Sequence, residues 1–366
     1  MPKVDFAFIG GRGVFSNYGG VENATREITI ELSKKNVNLL VYGVEGHVDN
    51  SFEPPNNLKG VASPSWIYNK FGQHGMILFC VLHAIFVSRP KVVYLFASGP
   101  CVFTPLLRLG GLNVVTSLRA IDSARDKWGF VSRNILRFGE YCAWRFANCF
   151  TVNSREMQEH YRSKREDVIF IPNGAKASSS NEEKLPNGIN KQEFFLFAAR
   201  LDPVKRLHLL LEAYSQLESE NTPKLIIAGG NAKDLEYEKQ LKAYECEDII
   251  FMGHLSATEL APLMNHCKAF ILPSILEGMS NSLLSAMATG KPVLAADIPA
   301  NSDVLEFPEA LYKVDDIEAL NNGLNRLATD DVFCSMLGTK LKKRANEYYS
   351  WKSSTHNFYQ LGLKYL

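Results

Sequence analysis

Short apolar runs alternate with segments of helical periodicity along nearly the whole chain, and this alternation restricts the fold more than any other feature. Val4–Ile9 is an apolar run that ends in a glycine-rich loop, which is typical of a buried parallel strand followed by a turn. Glu22–Lys35 then has apolar residues at helical spacing, and Leu39–Gly43 is a second apolar run. The sequence therefore predicts an α/β protein with parallel sheets. Further strands are predicted at Val92–Ala97, Val114–Leu118, Thr151–Asn153, Val168–Ile171, Phe194–Ala198, Leu225–Ala228, Ile249–Met252, Ala269–Leu272 and Val293–Ala295.

A polar segment interrupts this alternation near the middle of the chain. Between Pro172 and Gln192 the composition shifts to Asn, Gly, Ser, Glu and Lys, as in a linker or a surface loop. With 366 residues the chain is also longer than one ordinary domain. Two doubly wound halves would place a ligand in a cleft outside the carboxyl ends of both sheets. The predicted parts are a first domain over 1–175, a linker over 176–192, a second domain over 193–345 and a C-terminal crossing helix over 346–366.

Composition and charge narrow the possible partners and the compartment. The formal net charge of +1 creates no global field that would attract nucleic acid. The seven cysteines include no Cys-x-x-Cys pair, which favours reduced, buried thiols in a cytosolic protein. The N-terminus lacks the features of a signal peptide, and the longest apolar run, Met76 to Val87, is shorter than the roughly 20 residues of a spanning helix. We therefore expect a cytoplasmic protein that can lie peripherally on the inner face of a membrane.

The loop after the first predicted strand, GGRGVFSNYGGVE, is rich in glycine. Glycines such as Gly19 and Gly20 let backbone N–H groups approach an anionic or hydroxyl-rich ligand closely. Ser16 stands where the third glycine of Gly-x-Gly-x-x-Gly would be, so a dinucleotide site is not indicated. The loop is either a ligand loop or a tight turn from strand to helix.

Two further segments carry groups that suit a diphosphate and a sugar. Arg200 and Lys205 follow a predicted strand at the start of the next helix, where two cations bind a diphosphate or simply belong to a solvated loop. After the strand Ala269–Leu272, a helix is predicted to begin near Asn281-Ser282, with N–H groups free to bind a phosphate. Glu277, just before it, either accepts hydrogen bonds from sugar hydroxyls or caps the helix locally.

These segments resemble glycosyltransferase family four, which has the GT-B fold of two Rossmann-like domains facing a cleft. The likeness lies in FAARLDPVKRLHLLLEA, FMGHLS, FILPSILEGMSNSLLSAMATGKPVLAAD and IPNGA. The start IGGRGVFSNYGGVEN is similar to a bacterial, rhamnosyltransferase-like branch with an Arg-Gly…Tyr-Gly-Gly-x-Glu motif, and SGPCVFTPL and AIDSARDKWG are similar to it as well. The resemblance covers nearly the whole chain.

The resemblance implies a retaining transferase that moves a sugar from a nucleotide-diphosphate donor to an acceptor hydroxyl. It implies that the C-terminal half binds the donor, with Arg200 and Lys205 on the diphosphate and Glu277 facing the donor sugar. The chain has no Asp-x-Asp triplet, which fits cations in place of a metal, so no cofactor is expected besides the donor itself. The implied donor-binding residues are Gly19, Gly20, Gly253, Gly278, Met279, Ser280, Asn281, Ser282 and Ser285.

The chain departs from the family pattern at two positions. Ser285 stands where relatives have a second glutamate that accepts hydrogen bonds from the ribose, and a serine is shorter and uncharged. Arg119, with Asp122 after it, stands where relatives often have a histidine near the reacting sugar; an arginine is no base at neutral pH, yet it binds anions. Ser285 suggests a deoxythymidine diphosphate donor, which has no 2′-hydroxyl. Alternatively, the chain is a catalytically weak or inactive relative that binds nucleotide or glycan as an assembly partner.

The segment Trp128–Phe150 interleaves arginines with aromatic and aliphatic residues. It is either an ordinary amphipathic core helix or a helix that rests on anionic lipid beside a lipid-linked acceptor. The sequence thus predicts a GT-B glycosyltransferase that builds a bacterial surface polysaccharide such as an O-antigen or a capsule. A nucleotide-sugar epimerase is disfavoured because the dinucleotide loop is incomplete and no Tyr-x-x-x-Lys pair has the right context.

Overall fold

The computed structural model describes residues 3–15, 19–49, 52–121, 123, 129–177, 185–186, 188–217, 222–230 and 234–366. The chain divides into two compact units. Met1–Gly174 together with Trp351–Leu366 form the first unit, and Ala175–Ser350 form the second. Each unit has one sheet whose strand pairs are all parallel, so the predicted α/β class is confirmed.

The first unit contains a seven-stranded sheet with the order β3-β2-β1-β4-β5-β6-β7. The order reverses next to β1, so that β1 and β4 lie on the two sides of a topological switch point, where ligands of such sheets usually bind. The central strands are continuous apolar runs because helices cover both faces. The strands are β1 Phe6–Ile9, β2 Leu39–Val44, β3 Leu58–Ser63, β4 Val92–Phe96, β5 Asn113–Leu118, β6 Cys149–Val152 and β7 Ile169–Phe170.

Helices form a hydrophobic core on each face of this sheet. The first core joins one sheet face to the helices over 65–83, 104–109 and 130–146, and the second joins the other face to the helices over 20–33 and 351–363. The helices of this unit are α1 Gly20–Ser33, α2 Ser65–His83, α3 Ser98–Cys101, α4 Thr104–Leu109, α5 Phe130–Phe146, α6 Arg155–Arg162 and α14 Trp351–Leu363, and a π-helical turn over Ala84–Ser88 continues α2.

The last helix, α14, completes the first unit although it follows the second unit in sequence. The hydroxyl of Tyr94 in β4 donates a hydrogen bond to the carbonyl of Phe358, 2.7 Å away. Phe358 is fully buried, and its ring lies 5.9 Å from that of Tyr94 and 5.6 Å from that of Phe96. A Cβ atom on Gly362 would lie 2.5 Å from the Tyr94 hydroxyl, so only glycine fits there. The helix begins at Trp351, five residues after the start of the predicted segment 346–366.

The second unit contains a six-stranded sheet with the order β10-β9-β8-β11-β12-β13, and its switch point lies between β8 and β11. Its strands are β8 Phe194–Ala198, β9 Lys224–Ala228, β10 Ile249–Gly253, β11 Ala269–Leu272, β12 Val293–Ala296 and β13 Leu311–Tyr312. Its helices are α7 Leu207–Tyr214, α8 Leu235–Lys242, α9 Ala257–His266, α10 Asn281–Thr289, α11 Pro299–Leu305, α12 Ile317–Thr329 and α13 Asp331–Tyr348, with short 3-10 turns over Pro203–Lys205 and Pro308–Ala310.

One predicted feature differs in extent from the structure. The apolar run Met76 to Val87 belongs to a longer helical segment, Ser65–Ser88, which is long and apolar enough to cross a membrane by length and composition alone. The helix is broken at Gly72, whose φ of 64° and ψ of −159° are not helical. The segment is therefore two shorter helices in sequence, and the first of them contains residues that the sequence pattern did not assign to a helix.

Candidate functional site

The candidate site of the second unit lies at the switch point of its sheet. β8 and β11 are neighbours there, and the loop after each strand carries one of the predicted groups. Arg200 and Lys205 follow β8, and Glu277 follows β11. The carboxyl ends of parallel strands meet at one sheet edge, so these loops are adjacent although they are far apart in sequence.

An ion pair joins the two loops. Lys205 Nζ donates to Glu277 Oε1 across 2.5 Å, and the two side chains are only 14% and 10% exposed. The N–H of Ile275 donates to the carbonyl of Val204, 3.0 Å away, which fixes the backbones of the two loops to each other. The structure thus pairs Lys205, which the family resemblance places on the diphosphate of the donor, with Glu277, which it places at the donor sugar.

The rest of the β8 loop is held in shape by its own hydrogen bonds. The Asp202 side chain accepts from the N–H of Val204 at 3.3 Å, and the N–H of Lys205 donates back to the Asp202 carbonyl at 2.8 Å. Arg206 ends the turn in the left-handed region, with φ of 52°. Arg200 lies exposed at the beginning of the same loop. A second cation is therefore available to an anion at the mouth of the pair.

The helix that follows Glu277, α10, begins at Asn281, as predicted. Ser280 is its N-cap, and the Ser280 hydroxyl accepts from the N–H of Leu283 at 3.3 Å and contacts the Ser282 hydroxyl at 3.1 Å. Gly278 and Met279, which lead into the cap, are buried. The first N–H groups of a helix have no partner within the helix and carry partial positive charge, so the start of α10, four residues after Glu277, suits an anion.

Two other predicted donor residues lie farther along these elements. Ser285 is half-buried in the second turn of α10, where its carbonyl accepts from the Thr289 hydroxyl at 3.1 Å. Gly253 ends β10 with a φ of 68°, in the left-handed region that favours glycine. Because β9 separates β10 from β8, Gly253 lies two strands away from the Lys205 loop.

In the first unit, the glycine-rich loop is organised by Glu22, a residue that the sequence analysis did not single out. Its carboxylate accepts from the N–H of Arg12 at 3.0 Å. A Cβ atom on Gly11 would lie 2.7 Å from Glu22 Cγ and would displace that side chain, whereas a Cβ atom on Gly19 would meet only the carboxylate oxygen at its end. Glu22 lies in the first turn of α1, after Gly20. A phosphate near Gly19 and Gly20 would therefore share this helix end with a carboxylate, and their role in donor binding remains a prediction.

Arg119 follows β5 at the carboxyl edge of the first sheet. Its guanidinium lies 4.4 Å from the ring centre of Phe96 and 5.5 Å from that of Phe358, and Nη1 donates to Asn173 Oδ1 at 2.6 Å. Its Nε and Nη2 are excluded from solvent and have no hydrogen-bond partner in the described part of the chain. Burial lowers the pKa of the guanidinium to about 9. A buried cation with unused donors is suited to an anion.

Asp122, possible metal ligands and the histidine His83 lie apart from these groups or outside the described residues. Asp122 lies outside the described residues. Among the residues that the structure covers, no group of three or more His, Cys, Asp or Glu side chains could hold a metal ion. His83, which sits in an apolar helix, bonds through Nδ1 to the Tyr42 hydroxyl at 3.0 Å, as a structural histidine does.

Family models match both units. Residues 18–178 match the model described as Glycosyltransferase Family 4, and residues 179–348 match the model described as Glycosyl transferases group 1. Among curated proteins, the serotype-specific mannosyltransferase WbdA of Escherichia coli is 26% identical over 170 residues, which are 45% of this chain and 21% of WbdA. The chain spans between about a fifth and a half of the length of the curated relatives that it matches.

Solved structures match over nearly the whole chain. Sucrose-phosphate synthase from Thermosynechococcus elongatus superposes with a TM-score of 0.81 at 17% identity and covers 99% of both chains. Anabaena Alr3699/HepE, in a complex with UDP and glucose, superposes with a TM-score of 0.78 at 18% identity and covers 99% of this chain and 100% of HepE. The two units thus have the GT-B fold that the sequence predicted, and the chain belongs to the family 4 and group 1 glycosyltransferases.

Proposed function

We propose that the protein transfers a hexosyl or deoxyhexosyl group from a nucleoside diphosphate to a saccharide acceptor, with retention of configuration. The product would be a bacterial surface polysaccharide such as an O-antigen or a capsule; one relative, from Escherichia coli, is named O-antigen chain mannosyltransferase B. The observation that carries the proposal is the Lys205–Glu277 pair beside the N-terminus of α10, at the switch point of the second sheet.

The proposed chemistry follows from the charges at this point. When the sugar leaves its donor, negative charge grows on the β-phosphate. Lys205 and the N–H groups at the start of α10 are fixed in advance and can stabilise that charge, and Arg200 adds a second cation in the same loop. Glu277 can accept hydrogen bonds from the sugar hydroxyls and so hold the anomeric carbon in place. This arrangement needs no metal, and metal independence is part of the proposal.

Ser285 provides a test of the base and sugar of the nucleotide. If Ser285 lies beside a deoxyribose, which has no 2′-hydroxyl for a carboxylate to bind, calorimetry should show that dTDP binds at least as tightly as UDP. Ser285→Glu should then strengthen UDP binding about tenfold, because a carboxylate can accept from both ribose hydroxyls, and leave dTDP nearly unchanged.

A wild-type protein that binds UDP far more tightly than dTDP would contradict the deoxythymidine donor and leave the transferase proposal intact. Ser302→Glu is the matched control, since Ser302 is a half-buried helical serine of the same unit that lies in α11. It should change neither affinity.

We propose that Arg119 binds an anionic group of a substrate. Its replacement should therefore raise the stability of the protein while it lowers the activity. Arg119→Met keeps the packing against Phe96 and Phe358 but removes a buried charge that lacks a carboxylate partner. We expect the melting temperature to rise by about 2 to 4 °C, while kcat/KM falls about tenfold or more. Thermal denaturation and transfer assays on the same preparation check this. A fall in stability with unchanged kcat/KM would show that Arg119 only supports the fold.

The second candidate is a weak or inactive relative that binds nucleotide or glycan as an assembly partner, and it rests on Ser285 and Arg119. A panel of nucleotide sugars, assayed for hydrolysis and for transfer, separates the two. Donor binding without turnover for every sugar would favour the assembly partner. Turnover that is lost in Lys205→Met would favour the enzyme.

The acceptor and the location complete the proposal. A lipid-linked saccharide on the inner face of the membrane fits a cytoplasmic enzyme that uses nucleotide sugars. The helix α5, Phe130–Phe146, has exposed arginines and aromatic residues in the segment where the sequence suggested lipid contact. No contact with nucleic acid is proposed.

A further inference from the structure

The outer side of one helical layer in the first unit is apolar. α2, its π-helical end, α4 and α5 all bury residues in the same core, so their exposed sides face away from the sheet in the same direction. On this side Phe86 is 74% exposed, Leu109 85% and Phe130 82%. Soluble proteins seldom expose so many large apolar side chains on one surface. We call this surface the apolar face; its other principal members are Trp66, Phe71 and Phe138.

The same part of the chain lacks acidic residues. There is no aspartate or glutamate between Glu53 and Asp122. α5 contains one acid, Glu140, which is buried and accepts hydrogen bonds from the N–H and the hydroxyl of Ser123. Only positive charges are therefore exposed on α2, α4 and α5 and on the residue after the π-helical turn. The net charge of the whole chain, +1, does not reveal this local excess. They are Lys70, Arg89, Arg108, Arg137 and Arg145.

The most exposed apolar residues lie together with two of these cations. Phe86 is in the π-helical turn before β4, and Leu109 ends α4 just before β5, so both lie at the amino-terminal edge of the sheet. A Cβ atom on Gly110 would lie 2.8 Å from Ile85, so the two segments touch. Arg89 and Arg108 flank them in the sequence and are exposed. Two apolar side chains beside two arginines form a compact anchor.

The unbroken part of the long apolar segment of this face is shorter than a membrane-spanning helix. After the break at Gly72, about 16 helical residues remain, which make a helix of roughly 24 Å, shorter than a hydrocarbon core of about 30 Å. One side of this helix, including Met76, Cys80 and Val81, is packed in the protein core. A helix with one side in the core cannot be surrounded by lipid, but its other side can rest on lipid.

We propose that the apolar face docks on an anionic lipid bilayer. Its aromatic and aliphatic side chains would enter the boundary between headgroups and acyl chains, and its lysine and arginines would lie against lipid phosphates. A second copy of the chain suits the face less well, because pairing two such faces would bring positive charges together. The proposal rests on the proposed function only for its biological purpose, because the chain can bind lipid without transferring a sugar.

Co-sedimentation of the full chain with vesicles tests the proposal. We expect binding to vesicles of phosphatidylcholine mixed with phosphatidylglycerol, weak binding to phosphatidylcholine alone, and loss of binding as the salt concentration rises. Phe86→Ser/Leu109→Ser should weaken binding about tenfold or more because it removes the apolar anchor. Arg89→Gln/Arg108→Gln should weaken it about fivefold for each charge removed.

The matched control is Leu235→Ser/Val332→Ser, which removes two residues of the second unit that are 75% and 82% exposed. It should bind like the wild type. Equal binding to neutral and anionic vesicles would overturn the proposal, and so would unchanged binding in Phe86→Ser/Leu109→Ser. A wild-type dimer in light scattering that Phe86→Ser/Leu109→Ser abolishes would also overturn it. Calorimetry with UDP and dTDP tests the proposed function separately, so lipid binding without nucleotide binding would defeat that function alone.

Discussion

Lys205→Met is expected to lower kcat/KM for sugar transfer about 100-fold to 1,000-fold, because preorganised charges on a leaving group contribute that much to catalysis. Glu277→Gln should cause a loss of about 100-fold, since the amide accepts hydrogen bonds from sugar hydroxyls more weakly than a carboxylate does. Nucleotide calorimetry separates the two roles. Lys205→Met should weaken binding of the nucleoside diphosphate itself, whereas Glu277→Gln should act mainly on transfer from the intact sugar donor.

The ion pair also predicts a pattern of stabilities. Each single substitution leaves one mostly buried charge without its partner and should cost about 2 kcal/mol in the free energy of unfolding. The double variant Lys205→Met/Glu277→Gln leaves no lone charge and should cost less than the sum of the two. Denaturant unfolding of the four proteins gives this coupling directly, before any substrate is known.

Lys268→Met is the matched control, because Lys268 is a lysine of the same unit, 16% exposed and 2.9 Å from Asp331, and it lies before β11 whereas Glu277 lies after that strand. It should leave transfer unchanged. If Lys205→Met stayed folded and kept its activity within a factor of about five, the assignment of the diphosphate to this pair would be wrong.

Phe358→Ala should destabilise the first unit by about 4 kcal/mol, as expected for a fully buried aromatic residue. The loss includes the ring contacts with Tyr94 and Phe96 and the cation–π contact with Arg119. A chain with two units need not unfold in one step, so the measurement should be local. Hydrogen exchange should speed up in β1 and β4 and stay unchanged in β8.

The control applies the same measurement to a buried residue of the second unit. Leu324→Ala removes a fully buried side chain of α12 and should loosen the second unit while it leaves β1 and β4 protected. If Phe358→Ala loosened both units equally, α14 would not belong to the first unit alone.

The central strands could be predicted because parallel strands are buried on both faces and form continuous apolar runs. Phe194–Ala198 and Ala269–Leu272 begin and end where the sequence indicated. The edge strands β7 and β10 were predicted as well, but the edge strands β3 and β13 were not. In β3, Lys59 and Gly60 are exposed, which breaks the apolar run, and β13 has only two residues. Edge strands need only one buried neighbour, so their sequence pattern is weak.

The candidate site was predictable as a set of residues but not as a geometry. Lys205 and Glu277 are 72 positions apart, and only the reversal of strand order next to β8 makes their loops neighbours. Glu22 gave no signal because an acid in the first turn of a helix is common. Arg119 was noticed as an unusual residue, yet its contact with Phe358 depends on a helix that the chain adds after the second unit.

The place of α14 also sets the order of events during synthesis. A ribosome finishes all seven strands of the first unit, then makes the whole second unit, and only then makes the helix that covers Phe6, Tyr94 and Phe96. At ordinary rates of translation that delay is roughly 10 to 35 seconds. Throughout it the nascent chain exposes a large aromatic surface. We expect this stage of biogenesis, more than the finished fold, to depend on chaperones.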